Sequence, residues 1–534
     1  MSLKIGYSII LAIKLLLAIP GALYAQIEFR SSDVPIVVIE TNGQEIPDDP
    51  RIVADMGIID NGQGNRNYMT DPFNGYQGKI SIEVRGSTSQ DFPKKQYAIE
   101  TQNDDGSNNN VSLLGMPVEN DWILYAPYSD KSMMRNMLAY KLSENLGHYA
   151  PRTRSCELVL NGEYAGVYVL IEKIKQDNNR VDIADLDPDE TSGDDLTGGY
   201  LLKLDRPPGK NTITWNTIAT GTRVQLVYPG SDECAPEQQE YIANYLDNFE
   251  EALYADNFSD SLAGYREYLD LPSALDYFFV NEIAKNVDAY RLSTYFYKDR
   301  NSRGGKLCFG PVWDFNIAFA NVDYLEGYKA DGLVTPGHPW WNRFLEDTVF
   351  EDALMSRWKQ IRENEFSHSK IMGIIDSMAE DLAESQQRNF QCWDILLSNI
   401  WPNYFMGGSY QAEVTYLKEW ILARMNWLDG YLNYSPEPAG PVTAYETKAY
   451  PNPFTSSFTY EFNLGREEHI TLQLYDFSGR LLAEIVPDSE FGEGTHRVTW
   501  NSMDSDQILP SGFYAIVLKA GGSIVSTDVI IKYH

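Results

Sequence analysis

The sequence predicts an α+β fold in two parts, followed by a small β-sandwich. Strand-like alternation of apolar and polar residues dominates the first part, where one helical pattern interrupts it. Helical periodicity dominates the second part, up to residue 432, and short strands separated by turns return in the tail. A Pro-, Gly- and Ala-rich segment separates the tail from the rest. We therefore expect a large mixed domain over 32–432, a linker over 433–447 and a β-sandwich domain over 448–534.

The composition bounds the class of protein. Of the 534 residues, 43% are hydrophobic and 13% are aromatic, so the chain can bury a large core. Acidic residues outnumber basic ones, 76 to 43, which gives a net charge of −33. Nucleic acid and anionic membranes both need a basic face on a protein partner, so neither is expected as a main partner.

The N-terminal segment predicts export. The apolar run "IGYSIILAIKLLLAIPGALYA" follows Lys4 and ends in small residues, so we expect a signal peptide over 1–25, cleaved near Ala25. No cysteine follows the cut, which argues against a lipoprotein anchor, and no later stretch is long and apolar enough to span a membrane. The mature protein is therefore predicted to be exported and to have no membrane span.

The cysteines do not predict a metal site. Cys156, Cys234, Cys308 and Cys392 are far apart and form no C-x-x-C pair, so a zinc cluster is not expected. Free thiols and disulfide bridges both remain open.

Several segments carry clear element signals. In "KISIEV", Ile80, Ile82 and Val84 share one strand face. The segment "CELVLNGEYAGVYVLIEKI" predicts a hairpin that turns at Asn161-Gly162 in a type I′ loop. The segment "DKSMMRNMLAYKLSENLG" predicts a helix that starts near Asp130 and stops at Gly147. Further helices are predicted over 271–286, 354–364, 369–390 and 409–432.

One aromatic stretch carries the first candidate site. In "FGPVWDFNIAFAN", 309–321, the only charged residue is Asp314, and Asn316 follows it. Read as a strand, the stretch places its aromatic residues on one face and Asp314, Asn316 and Ala318 on the other. A lone buried carboxylate needs a cation or a partner, and oxygen donors two residues apart suit Mg²⁺. Alternatively, Asp314 caps a helix that begins at about Asn316.

A second aspartate lies upstream, in the loop that follows the helix over 271–286. Asp288 and Arg291 stand in this loop, and a predicted hairpin with strands over 294–298 and 306–309 leads on to Asp314. Protein kinases place a catalytic base and a metal aspartate in this order, so Asp288 is the candidate base and Asp314 the candidate metal ligand. Alternatively, Asp288 pairs with Arg291 in a structural turn.

A third candidate region is "EVRGSTSQDFPKKQYAIE", where a glycine and three hydroxyl residues follow a strand and two lysines open the next one. We expect Arg85, Ser87 and Lys95 to contact a bound nucleotide. Lys95 shares a strand face with Tyr97 and an isoleucine, so it is predicted to point into the fold toward a phosphate, with Lys94 facing solvent.

The chain resembles the CotH kinases, atypical relatives of protein kinases, from about residue 35 to residue 321 and more weakly to residue 432. The resemblance rests on "RGSTSQDFPKKQYAIET", "LLGMPVENDWILYAPYSDKSMMRNMLAYKLSENLG", "VLNGEYAGVYVLIEKIK", "GGYLLKLDR" and "GPVWDFNIAFAN". It implies a bilobal protein-kinase-like domain, with a β-rich N-lobe and a helical C-lobe, that transfers phosphoryl groups from ATP to Ser or Thr of a protein substrate with the help of Mg²⁺.

The resemblance also implies roles for individual residues. Asp288 resembles the catalytic aspartate and Asp314 the metal aspartate. Lys95 resembles the phosphate-contacting lysine, Glu172 stands where a nucleotide-binding hinge is expected, and Arg291 belongs to the cofactor-binding set. Ser293 stands where an ordinary kinase has its second metal ligand, which makes Asn316 the candidate for that position.

The tail resembles the C-terminal sorting domain of type IX secretion in Bacteroidetes. The motifs are "YPNPF" at its start and "GFY" in a late strand. The resemblance implies that the secretion machinery is a partner and that the protein passes through the periplasm to the cell surface or the medium.

The sequence also leaves two rival functions open. The kinase-like fold could be catalytically silent and display loops for adhesion, because bacterial surfaces offer little free ATP. A carbohydrate-active enzyme fits the many Trp and Tyr residues but has no defensible carboxylate pair. The joint presence of Asp288, Asp314 and Lys95 favours the kinase.

Overall fold

In a computed structural model, the protein is described at residues 27–209, 212–335, 337–435, 445, 447–476, 480–502, 509–510, 512–521 and 523–532. The predicted signal peptide, 1–25, and most of the predicted linker, 433–447, lie outside these residues. The chain divides into two compact units between Tyr434 and Ser435.

The first unit mixes strands and helices, as an α+β fold requires. Its strands are β1 Ser31–Ser32, β2 Ile36–Glu40, β3 Ile52–Ile59, β4 Asn67–Tyr68, β5 Tyr76–Arg85, β6 Gln96–Gln102, β7 Asp121–Tyr125, β8 Thr153–Leu160, β9 Glu163–Glu172, β10 Tyr200–Leu204, β11 Thr214–Asn216, β12 Arg223–Tyr228, β13 Thr294–Lys298 and β14 Leu307–Phe309. Its helices are α1 Arg135–Asn145, α2 Pro236–Tyr254, α3 Leu271–Ala284, α4 Pro339–Phe344, α5 Thr348–Glu363, α6 His368–Asp381, α7 Ser385–Cys392 and α8 Tyr410–Tyr431.

Seven strands close into a barrel in the order β2-β3-β5-β6-β7-β9-β8. The alternation predicted for β5 is confirmed, since Ile80 and Ile82 are fully buried in the barrel core. The predicted hairpin is also confirmed: β8 and β9 turn through Asn161 and Gly162, both at positive φ as a type I′ loop requires.

Strand β7 is buried on both faces because the barrel is covered by helices on one side. Trp122 and Leu124 belong to the core inside the barrel. Ile123 and Tyr125 belong to a second core, which β7 and β9 share with α1, α3 and the other helices. The apolar run that follows Asp121 in β7 is the result expected for a strand covered on both faces.

A second sheet has the strand order β11-β12-β10-β13-β14. Strand β13 occupies the predicted residues, and β14 is shorter than predicted by one residue. Helix α3 runs between this sheet and the other helices, and all its residues from Ser273 to Ala284 are buried. Asp270 caps the helix by accepting a hydrogen bond from Ser273 N at 2.9 Å.

Three predicted helices need correction, and one of them, α5, begins at Thr348 instead of residue 354. Helix α1 begins at Arg135, because the Asp130 carboxylate accepts hydrogen bonds from Ser132 N and Arg135 N in the turn before it. The single helix predicted over 369–390 is broken into α6 and α7. Helices α2 and α4 were not predicted from the sequence.

The second unit contains β15 Thr447–Tyr450, β16 Ser457–Leu464, β17 Glu468–Asp476, β18 Leu481–Phe491, β19 Gly494–Asn501, β20 Gly512–Ala520 and β21 Ser523–Lys532. They form a sheet of three strands, β15-β16-β19, and a sheet of four, β18-β17-β20-β21. Both sheets contribute to one apolar core, as a β-sandwich requires. The four cysteines of the chain are free thiols.

Helix α7 is joined to the barrel by a buried lysine. Lys94 Nζ donates hydrogen bonds to the Val167 carbonyl at 2.5 Å and to Asn389 Oδ1 at 2.8 Å. Asn389 Oδ1 also accepts from Val167 N at 3.1 Å. Burial lowers the pKa of Lys94 to about 7, and no carboxylate forms an ion pair with it among the residues that the structure describes.

Lys94→Met should remove a pH-dependent part of the stability. The unfolded chain binds the lysine proton with a pKa of about 10.4, so between about pH 7 and pH 10 it holds more of this proton than the folded protein. The free energy of unfolding contributed by Lys94 therefore rises with pH. Chemical denaturation at pH 7 and pH 9 should show the wild type gaining about 2 kcal/mol relative to the variant. Parallel pH profiles would mean that the buried ammonium keeps its ordinary pKa.

Candidate active site

A cavity of about 750 Å³ in the first unit collects most of the candidate site residues. Of the residues predicted from the sequence, the cavity is lined by Arg85, Ser87, Asp288, Asp314 and Asn316. The walls come from the end of β5, the loop after it, the end of β10, the loop after α3 and the segment after β14. We call this cavity the cleft.

The segment that carries Asp314 is not a strand, which corrects the predicted alternation of faces. Asp314 has φ of 65°, in the left-handed region, and Phe319 and Ala320 also have positive φ. The bonds that hold this shape come from elsewhere in the fold. Phe315 N donates to Asn136 Oδ1 at 2.6 Å, and Asp314 N donates to the Tyr140 hydroxyl at 3.3 Å.

Helix α1 therefore fixes the backbone on both sides of the Asp314 side chain. Tyr140 also stacks on Trp313, with ring centroids 5.8 Å apart. Asn286 Nδ2 donates to the Asp314 carbonyl at 3.4 Å from the opposite side. A non-glycine residue at positive φ is uncommon, and it persists where surrounding contacts determine the conformation.

The Asp314 carboxylate has no hydrogen-bond or ion-pair partner among the residues that the structure describes. Asp314 is exposed to solvent and lines the cleft. Partial desolvation by the surrounding walls, together with the neighbouring Asp288, raises the pKa of Asp314 to about 6, although Arg85 opposes this. An acid held in this way, without a partner, is available to a cation from the cleft.

Asp288 lies in the loop that follows α3. Its backbone N donates to Asn286 Oδ1 at 3.2 Å, so Asn286 contacts the backbone of both aspartates. The Asp288 carboxylate accepts a hydrogen bond from Arg291 Nη2 at 2.7 Å. Burial raises the pKa of Asp288, although Arg291 opposes this. The pairing that the sequence left open as a structural alternative is thus present, and Asp288 still lines the cleft.

The predicted orientation of the two lysines is wrong. Lys94 is the buried one, at 1% exposure, and Lys95 is half-buried with its Nζ bonded to the Gln90 carbonyl. The alternation fails because β6 begins only at Gln96, so neither lysine lies in the strand. Lys95 does not line the cleft.

Two other predicted residues also point away from the cleft. Glu172 is fully buried at the end of β9, where its carboxylate pairs with Arg152 at 3.0 Å and accepts from the Tyr149 hydroxyl at 3.2 Å. Arg291 lines a different cavity and bonds to Asp288. Neither side chain is placed to contact a ligand in the cleft.

The cleft contains three charged residues that the sequence analysis missed, although they belong to the quoted segment "GGYLLKLDR". They are Lys203, Asp205 and Arg206, at the end of β10. Lys203 Nζ bonds to Asp205 Oδ2 at 3.0 Å. Burial opposes protonation, but Tyr295 and Asp205 outweigh it and raise the pKa of Lys203. The available signal was the pair of charges, Asp205 and Arg206, that directly follows the apolar strand β10.

Arg85 is the second cation beside the aspartates. Its guanidinium lies 5.7 Å from the centroid of the Trp313 ring. It forms no hydrogen bond or ion pair within the described part of the chain. Arg206 reaches across the cleft to the hydroxyls of Ser87 and Thr88, both at 3.4 Å. The cleft thus combines carboxylates and cations within one cavity.

The donors in the cleft fit a magnesium ion that is shared with a ligand. Mg²⁺ in proteins is commonly held by one or two side-chain oxygens together with water and phosphate oxygens. Asp314 and Asn316 offer such oxygens, and neither side chain has a hydrogen-bond partner among the described residues. In the same part of the chain, no group of three or more His, Cys, Asp or Glu side chains is arranged to hold a metal ion without further ligands.

Comparison with known proteins assigns a family to each unit. Residues 82–428, well over half of the chain, match the family model described as "CotH kinase protein". Residues 448–532 match the model described as "Secretion system C-terminal sorting domain". No curated protein sequence matches the chain.

One solved structure shows a weak similarity. It is the Pseudomonas fluorescens alkylpurine DNA glycosylase AlkC bound to DNA containing an abasic site analog, at 9% identity and a TM-score of 0.12. The match covers 37% of this chain and 57% of that one. A score this low carries no argument about fold or function.

The match to the sorting-domain family bears on where the protein acts. A sorting domain of this kind indicates export to the cell surface or secretion. Among the described residues, no helix combines the length and the apolar character that a membrane span requires.

Asp314→Asn should stabilise the metal-free protein. The substitution removes a carboxylate that has no partner and lies beside Asp288, so it relieves desolvation and like-charge repulsion. The midpoint of thermal unfolding in a chelator should rise. Asp130→Asn is the matched control, because the fully buried Asp130 binds Ser132 and Arg135 and its loss should lower the midpoint. A lower midpoint for both variants would show that Asp314 holds the fold together.

Proposed function

Because the chain belongs to the CotH kinase family, we propose that it is an exported protein kinase that transfers the γ-phosphoryl group of ATP to Ser or Thr hydroxyls. One observation carries the proposal: Asp314, without a partner, and Asp288 share a cleft with the cations Arg85 and Lys203. The protein substrates are surface or secreted proteins. We also propose that the first unit has the bilobal arrangement of a protein kinase. The barrel and α1 form the N-lobe, and the other helices form the C-lobe.

In this proposal Asp314 and Asn316 hold Mg²⁺. When bound, the ion neutralises charge on the β- and γ-phosphates. Arg85 and Lys203 supply further positive charge beside the two aspartates. They take the phosphate-contacting role that the sequence predicted for Lys95. Ser87 and its neighbours after β5 cover the phosphates, with Arg206 linked to the same loop. The cleft of about 750 Å³ is large enough for a nucleotide.

Asp288 accepts the proton of the substrate hydroxyl. As the hydroxyl oxygen bonds to the γ-phosphorus, the bond from that phosphorus to the β,γ-bridging oxygen breaks and ADP leaves. A proton acceptor works best with a pKa closer to the working pH, and burial moves the pKa of Asp288 in that direction. Arg291 orients the carboxylate through its 2.7 Å hydrogen bond.

The alternative is a catalytically silent protein that displays its surface for adhesion. A display scaffold gains nothing from an unpartnered carboxylate held beside Asp288 in a cleft, because like-charge repulsion between the two groups destabilises the fold. Nucleotide binding therefore separates the two functions.

Asp314 and Asp288 variants should separate metal binding from proton transfer. Asp314→Ala should weaken Mg²⁺-dependent ATP binding at least tenfold, about 1.4 kcal/mol, because the metal links this carboxylate to the phosphates. Asp288→Asn should leave ATP affinity near the wild-type value and abolish most phosphoryl transfer, because a base acts mainly in the transition state. Calorimetry with ATP and labelled-phosphate transfer measure the two quantities.

The exposed loop residue Asp104 supplies the control, since Asp104→Ala should change neither quantity. If calorimetry finds no nucleotide binding with any divalent cation, the display function replaces the kinase. Equal losses of binding and transfer in Asp288→Asn would make Asp288 a metal ligand or a structural residue.

The C-terminal unit should be required for export and not for catalysis. We propose that it is recognised by the type IX secretion machinery after the signal peptide has brought the chain into the periplasm. Removing residues 448–534 in the native host should leave the protein in the periplasm, as measured by cell fractionation. Secretion of the truncated chain would contradict the sorting function.

A further inference from the structure

A second cavity, of about 590 Å³, adjoins the cleft near Asp288, the aspartate that we propose as the catalytic base. Val287, Ala289 and Arg291, which flank Asp288 in the chain, line this second cavity, while Asp288 itself lines the cleft. Asp205 lines both cavities. A segment placed in the second cavity therefore contacts the loop that carries Asp288, and Asp205 connects this cavity to the cleft.

The second cavity is cationic, unlike the strongly acidic chain as a whole. Three cations line it, Arg223, Lys285 and Arg291, against one carboxylate, Asp205. That carboxylate is already paired with Lys203 at 3.0 Å. The local sign of charge is thus the reverse of the net charge of −33.

The three cations differ in the number of hydrogen bonds and ion pairs that they form with the protein. Lys285 Nζ donates to three backbone carbonyls, those of Glu326, Lys329 and Asp331. Arg291 is bonded to Asp288. Arg223 is exposed and has no hydrogen-bond or ion-pair partner among the residues described, so its guanidinium is available to a ligand.

The remaining walls are neutral. Burial lowers the pKa of His338 to about 4, so this side chain adds no charge at neutral pH. The other lining side chains are largely apolar and include Leu204, Val287, Leu333 and Val334. An occupant therefore needs an anionic group for Arg223 and an apolar or backbone portion for the walls.

We propose that the second cavity holds the acceptor segment of the protein substrate, and that this segment carries an Asp or Glu close to the Ser or Thr that is phosphorylated. The inference rests on the proposed kinase function, because it places the acceptor hydroxyl at Asp288. Arg223 binds the acidic side chain and thereby selects acidic acceptors. A carboxylate–guanidinium pair at the rim of a cavity contributes through charge-assisted hydrogen bonds.

The test compares two peptides that contain one Ser and differ only in their flanking residues, Glu in one and Gln in the other. The full chain should phosphorylate the Glu peptide with at least tenfold higher kcat/KM. Arg223→Gln should remove most of this preference, and Arg223→Glu should reverse it. The KM for ATP should stay unchanged in both variants. Arg466→Gln, an exposed arginine in the second unit, is the control and should behave as the wild type.

A binding measurement that needs no catalysis accompanies the assay. Fluorescence anisotropy of the labelled Glu peptide should report binding to the full chain that weakens in Arg223→Gln. If ATP binds but both peptides bind and react equally, the acidic selection is wrong and the kinase function stands. If the Glu peptide binds through Arg223 but ATP does not bind, the kinase function fails, and with it the assignment of this cavity to an acceptor.

Discussion

The candidate site depends on the way α1 and the loop after α3 hold the segment around Asp314. Asn136 and Tyr140 accept hydrogen bonds from two consecutive backbone amides, those of Phe315 and Asp314. Asn286 bonds to the Asp314 carbonyl and accepts from Asp288 N. These bonds satisfy the backbone without using the Asp314 carboxylate, and they fix the two aspartates relative to each other. A catalytic pair requires this kind of support from neighbouring side chains.

The electrostatics of the cleft follow from that arrangement. Two carboxylates are brought together with few partners, and burial raises the pKa of both. Arg85 and Lys203 compensate only in part, since Arg85 stacks near Trp313 and Lys203 is bonded to Asp205. Such an arrangement costs stability in the absence of a ligand, as functional sites commonly do. A divalent cation with a polyphosphate complements both signs of charge at once, which is the physical basis of the proposed function.

Local signals in the sequence were sufficient for some elements and for the prediction that the two aspartates lie close together. Asn161-Gly162 was enough to predict its turn, and the order of helix, loop and hairpin predicted Asp288 and Asp314 as a pair. Lys94 and Lys95 were interchanged because strand alternation does not apply before β6 begins. The backbone at Asp314 could not be predicted, because its conformation is fixed by side chains more than 170 positions away in the chain. Lys203 was missed because the pairing of β10 with β13, which local sequence does not show, sets its place in the fold.

The most direct test is a crystal structure of the full chain with Mg²⁺ and a non-hydrolysable ATP analogue. The account predicts that the ion lies in the cleft, about 2.1 Å from an Asp314 carboxylate oxygen, with the triphosphate beside Arg85 and Lys203. The Asp288 carboxylate should face the γ-phosphate without binding the metal. A nucleotide bound elsewhere on the chain, or a metal ion that ignores Asp314 while the nucleotide occupies the cleft, would contradict the account.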